Sequence, residues 1–64
     1  MGLSDYDAEH IGDILHGEGN WFTARLLRAL DALLPYADDI NTAKIRATWP
    51  IETAALLAHY NKRS

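Results

Sequence analysis

The stretch Gly17-Glu18-Gly19-Asn20-Trp21 most constrains what this chain can fold into, because it separates two amphipathic segments with a pair of closely spaced glycines. A helix commonly ends on a left-handed residue, a conformation that glycine adopts without steric cost. Asn20 is a favoured N-cap for the next helix, since its side-chain oxygen accepts a backbone N–H from the first turn. Beyond it, Phe22, Leu26, Leu27, Leu30, Leu33 and Leu34 fall on one side of a helical wheel, with Arg25, Arg28 and Asp31 on the other. Pro35 ends the run, because proline cannot donate and the residue before it avoids the α region. The pattern predicts a core helix between Asn20 and Pro35, folded back on the helix before it as an αα-hairpin.

With 64 residues the chain makes one domain, residues 1–64, close to the size at which a single core only just outweighs chain entropy. The absence of cysteine removes any disulfide framework and any cysteine-ligated metal. No apolar run is long enough for a membrane span or a signal-peptide core, so the expected setting is cytoplasmic. The Met1-Gly2 start lacks the Ser or Thr at the sixth position that a myristoylation signal carries. A net charge of −3 argues against a protein whose main work is neutralising phosphates. The charges are also segregated: Asp5, Asp7, Glu9, Asp13 and Glu18 precede the first base, Arg25.

Ser4 and Asp7 have the spacing of a capping box, which opens a first helix over residues 5–16. Ile11, Ile14 and Leu15 form its apolar stripe, and Gly12 weakens it by about 1 kcal/mol relative to alanine. Close backbone approach by a neighbour is one reason for that glycine. After Pro35, Asp38 or Asp39 caps a third helix through about residue 48, with Ile45 and Trp49 as its apolar pair. Trp49-Pro50 breaks that helix and Pro50 restarts it over about residues 51–61. The expected fold class is therefore all-α, a small three-helix bundle whose third helix, broken at Trp49-Pro50, can be counted as two.

The block His10-Ile11-Gly12-Asp13-Ile14-Leu15, then Gly17, Gly19, Trp21-Phe22-Thr23-Ala24 and Leu26-Leu27-Arg28, resembles a pattern in short helical proteins of actinobacteria and their phages. The resemblance covers the first half well and the second half by the spacing of Trp49-Pro50. It departs where relatives often place His between the glycines, here Glu18, and where Glu usually follows the proline, here Ile51. It implies a phage-type origin, a compact helical fold, and action by binding a host protein in the host cytoplasm; it implies no activity.

Catalytic and cofactor chemistry finds little support in the residues. His10, Asp13 and His16 are ligand types, but steps of three spread them around the helix rather than converging them on a metal. The serines sit at a cap and at the last position, and Gly17-Glu18-Gly19 lacks the strand and lysine of a phosphate loop. The expectation is no enzyme, no metal and no cofactor. A helix-turn-helix DNA reader using Asn41, Thr42, Lys44 and Arg46 is the alternative, set against an acidic chain.

Two surfaces remain as candidate partner-binding sites. Trp21, with Arg25 and Arg28 one and two turns on, is either covered by a neighbouring helix end or forms an aromatic and cationic patch of the kind that dominates interfaces. Ile51, Ala54, Ala55 and Ala58 form a small-residue ridge on the last helix, either a homodimer contact or plain helix-forming surface alanine. An acidic strip of Asp5, Glu9 and Asp13 would steer a basic partner. The functional expectation is a non-catalytic protein-interaction module that binds a host protein or itself.

Overall fold

Ser4 opens the first helix as expected: its Oγ accepts the N–H of Asp7 at 3.1 Å. The computed structural model describes residues 3–63, so the Met1-Gly2 start and Ser64 lie outside the described residues. Among these residues the chain is all-α, with helices α1 (Asp5–Glu9), α2 (Ile11–Leu15), α3 (Phe22–Leu33), α4 (Asp39–Thr48) and α5 (Pro50–Arg63). A 3-10 turn, Leu34–Tyr36, follows α3 directly.

The single helix expected over residues 5–16 is two helices, broken at His10 (φ −116°, ψ 27°). The His10 N–H is shared between the carbonyls of Tyr6 at 3.0 Å and Asp7 at 3.2 Å. Its ring Nδ1 lies 2.8 Å from the same Tyr6 oxygen. Such three-centre sharing tightens a helix end, and here it also stacks the Tyr6 and His10 rings with centroids 4.1 Å apart.

The N-cap of α3 also differs from expectation. It is Trp21, in extended conformation and with no side-chain cap bond. Asn20 instead receives Arg25: its carbonyl accepts Nε at 3.3 Å and its side-chain oxygen accepts Nη2 at 3.4 Å. Downstream the caps fall where the residues place them. Asp38, not Asp39, caps α4 by accepting the Asn41 N–H at 2.7 Å. Pro50 is the first residue of α5, where its missing N–H costs nothing.

The buried core comes from three helices: Ile11 and Ile14 of α2, Ala24, Leu27 and Leu30 of α3, and Leu56 of α5. Helix α4 buries no residue fully and leans mainly on α5, setting Ile45 and its C-cap Trp49 half-buried against the core. This placement divides the long apolar face expected for α3. Ala24, Leu27 and Leu30 point inward, whereas Phe22 and Leu33 are 74% and 55% exposed because α4 is seated on α5 instead.

Two polar side chains of the interior carry measurable consequences. Thr53 of α5 is fully buried and its hydroxyl has no hydrogen-bond partner. Replacing an orphaned hydroxyl by a methyl of the same shape removes a desolvation penalty. Thr53→Val should therefore stabilise the fold by about 1 kcal/mol, read as a higher urea midpoint at unchanged m-value; a lower midpoint would contradict the burial.

Tyr60 ties α5 to α3 by donating its hydroxyl to Asp31 Oδ1 at 2.5 Å. Burial first, then the bond to Asp31 and its charge, raise the Tyr60 hydroxyl above the ordinary 10.0. A folded-state pKa above the unfolded one means that the folded chain holds this proton more tightly. The contribution is complete below about pH 10 and is lost as pH rises beyond it towards the folded value. The unfolding free energy of the native chain should fall more steeply above about pH 10 than that of Tyr60→Phe; equal slopes in urea titrations would show that the bond carries no linkage.

Candidate functional site

The link between α2 and α3 is built by two glycines with different tasks. Gly17 (φ +113°) is the left-handed residue after α2. There the Glu18 N–H reaches Asp13 O at 3.0 Å and the Gly17 N–H reaches Ile14 O at 3.0 Å, which together form a Schellman closure. Gly19 (φ +81°) lies under the Trp21 ring, so that a Cβ there would run into the indole. Trp21 is thus 41% exposed yet supported, packed against Gly19 and edge-on to Tyr6 with centroids 6.2 Å apart. Tyr6 in turn donates its hydroxyl to Glu18 Oε2 at 2.5 Å. That bond, ahead of burial and the charges of Glu18, Asp13 and Asp7, raises the Tyr6 hydroxyl above its usual value.

Of the two arginines grouped with Trp21 as a partner patch, Arg28 does something else. Its Nη1 donates to Ile14 O at 3.0 Å and Glu18 O at 3.1 Å, and its Nη2 donates to Gly19 O at 2.8 Å. The planar fork spans the turn: it adds a second donor to Ile14 O at the end of α2 and supplies donors to the loop carbonyls of Glu18 and Gly19. Arg28 is half-buried and faces inward, so the exposed patch is reduced to Trp21 and Arg25. Nothing in the local spacing announces this role, because the fork acts across nine to fourteen residues.

The small-residue ridge lies on the side of α5 opposite Thr53 and Leu56. Ile51, Ala54 and Ala58 are exposed, while Ala55 is half-buried against the core. Ala55 and Ala58 also line a cleft of about 450 Å³ between α5 and the first two helices, rimmed by Glu9, His59 and Lys62. Gly12 lies on its floor. A Cβ there would sit 3.5 Å from the His59 ring, an ordinary contact, so close approach does not explain this glycine.

Asp5, Glu9 and Asp13 are all exposed, but the break at His10 divides them between α1 and α2. His10, Asp13 and His16 do not converge, and the described residues hold no group of three or more His, Cys, Asp or Glu placed for a metal. On α4, Asn41, Lys44 and Arg46 are exposed and Thr42 is half-buried. Lys44 and Asn41 line a second hollow of about 300 Å³ with Leu33, Tyr36, Ala37 and Ile45. That hollow and the exposed Leu33 and Tyr36 beside it are invisible on the wheel, which assigns Leu33 to the core. Their signal lies in the steps of four and three that join Phe22, Leu26, Ala29, Leu33 and Tyr36.

The fold and these surfaces define a class: a small helical bundle held by one arginine-braced turn, with apolar side chains left on its outside. No protein-family model, curated protein or solved structure matches the chain.

The brace itself is testable. Arg28→Lys keeps the charge but loses the fork, leaving carbonyls of the turn without donors. It should destabilise the fold by about 2 kcal/mol, measured by urea unfolding; a cost within error of zero would mean that water satisfies the turn equally well.

Proposed function

We propose that this chain is a non-catalytic protein-interaction module that holds a partner against exposed apolar helix surface. The observation that carries the reading is the balance of apolar side chains. Among the described residues, six apolar ones make up the buried core, while Tyr6, Trp21, Phe22, Leu33, Tyr36, Ile40 and Ile51 are large and exposed. Contiguous apolar surface on a small domain marks a place where something else binds. Aromatic residues and arginine, here Trp21 with Arg25, are the types that most often dominate such contacts.

The resemblance of the first half to short actinobacterial and phage proteins suggests the setting: a phage-encoded chain, a host protein as partner, and the host cytoplasm as location. In this reading Asp5, Glu9 and Asp13 give the approach face a negative sign that favours a basic partner. The Trp21–Arg25 patch, the ridge of Ile51, Ala54 and Ala58, and the outer face of α3 are the contact surfaces in this reading. The helix-turn-helix alternative has less support, since the bases of α4 follow the acidic pair Asp38 and Asp39 and Lys44 lines the hollow beside Tyr36.

Affinity capture from host lysate tests the reading, with the native chain compared against Ile51→Glu plus Ala58→Glu and against Phe22→Asp plus Tyr36→Asp. All four positions are exposed, so circular dichroism should show intact helices. Loss of a specific partner in at least one double variant is expected. The same proteins recovered with all three baits would refute the module.

A further inference from the structure

Phe22, Leu26, Ala29, Leu33 and Tyr36 follow one line along the outside of α3, in alternating steps of four and three. The 3-10 turn Leu34–Tyr36 keeps Tyr36 on that line, because side chains three apart eclipse in such a turn and Tyr36 lands over Leu33. Phe22, Leu33 and Tyr36 are exposed, Tyr36 at 89%, Ala29 is exposed, and Leu26 is half-buried. We propose that this face of α3 pairs antiparallel with the same face of a second copy of the chain, about a two-fold axis at Ala29. The inference rests on the interaction-module reading and names the partner of one of its surfaces.

The order of side chains is what selects a second copy. Read from either end, the line runs aromatic, leucine, alanine, leucine, aromatic. An axis through Ala29 therefore sets Leu26 against the partner's Leu33 and Phe22 against the partner's Tyr36, each contact made twice, as an isologous interface requires. Ala29, the smallest residue on the line, falls where the two backbones come closest.

Shape supports the same register. The hollow of about 300 Å³ is lined by Leu33 and Tyr36 together with Ala37 and Ile45. Phe22 sits about 10 Å before Ala29 along the helix, and Tyr36 about the same distance after it. The axis thus carries each protruding Phe22 to the other copy's hollow. Two mostly exposed aromatics, with Leu33 and the hollow's edge, supply roughly 500 Å² per copy and on the order of 1,000 Å² in total, where specific interfaces begin.

Charge favours the antiparallel sense. Arg25 flanks the line and is carried towards the negative C-terminal end of the partner's α3 and the following Asp38 and Asp39. A parallel pair would instead set Arg25 beside Arg25 and align the two helix dipoles. Asp31, the acid within α3, is bonded to Tyr60 on the other side of the helix and stays out of the contact.

The chain has no cysteine of its own, which makes cross-linking decisive. Sedimentation of the native chain should show a monomer–dimer equilibrium, weakened roughly thirtyfold or more by Phe22→Asp. Oxidised Ala29→Cys should form a disulfide-linked dimer. Leu33→Cys, whose copies lie about 12 Å apart across the axis, should not. The cysteine pair keeps the test sharp even if Phe22→Asp fails to fold. A chain that stays monomeric at every concentration overturns the inference, as does a dimer indifferent to Phe22→Asp or one in which Leu33→Cys cross-links in place of Ala29→Cys. A monomer that still loses a captured protein through Phe22→Asp plus Tyr36→Asp would leave the module reading intact and assign the face to a foreign partner.

Discussion

The guanidinium of Arg28 closes the turn between α2 and α3, and the rest of the molecule depends on that closure. Its donors hold the carbonyls of Ile14, Glu18 and Gly19 together, so the end of α2 and the loop after it share one fixed anchor on α3. The cation also sits at the negative end of α2, in a half of the chain where residues 1–24 include no Lys or Arg. Gly17 supplies the left-handed step that brings those carbonyls around, and Gly19 leaves the space that the Trp21 indole occupies. Side chains at either position would oppose the closure, one through backbone strain and one through collision with the indole.

With that corner fixed, α2 and α3 present Ile11, Ile14, Ala24, Leu27 and Leu30 to one side, and α5 completes the core with Leu56. The core is small and has little surplus to hold a fourth helix. Helix α4 accordingly buries none of its residues fully and is held through its contact with α5 and the half-buried pair Ile45 and Trp49. Its position leaves the outside of α3 uncovered, which turns a wide apolar helix into one with two separate faces.

The elements were largely legible because their boundaries are written in local chemistry. Ser4, Asp38 and Pro50 act through neighbours three or four residues away, and a wheel or a capping rule reads that distance directly. The break at His10 was hidden because it goes with an imidazole set against the Tyr6 carbonyl, a side-chain placement that no apolar periodicity records. Asn20 misled for a related reason: a good cap residue was claimed by Arg25 instead. The surfaces were less legible. Arg28 looks like solvent-facing charge on a wheel, and only the folded turn shows the carbonyls that draw it inward. Leu33 reads as core because a wheel records which residues share a side, not whether another element arrives to cover that side.

That last distinction explains why the outer face of α3 exists at all. The connector from Leu34 to Asp38 is short, and α4 carries its apolar residues Ile40, Ile45 and Trp49 on no single stripe. A helix without a stripe cannot cover one, so α4 has nothing with which to match Phe22, Leu26 and Leu33. A chain this short buries a smaller fraction of its surface than a larger domain does, and association is one way in which small domains cover the remainder. A second α3 carries the missing stripe in matching order, which α4 does not. In the pairing proposed above, the line of residues that lies bare on α3 in one copy is its own complement in another.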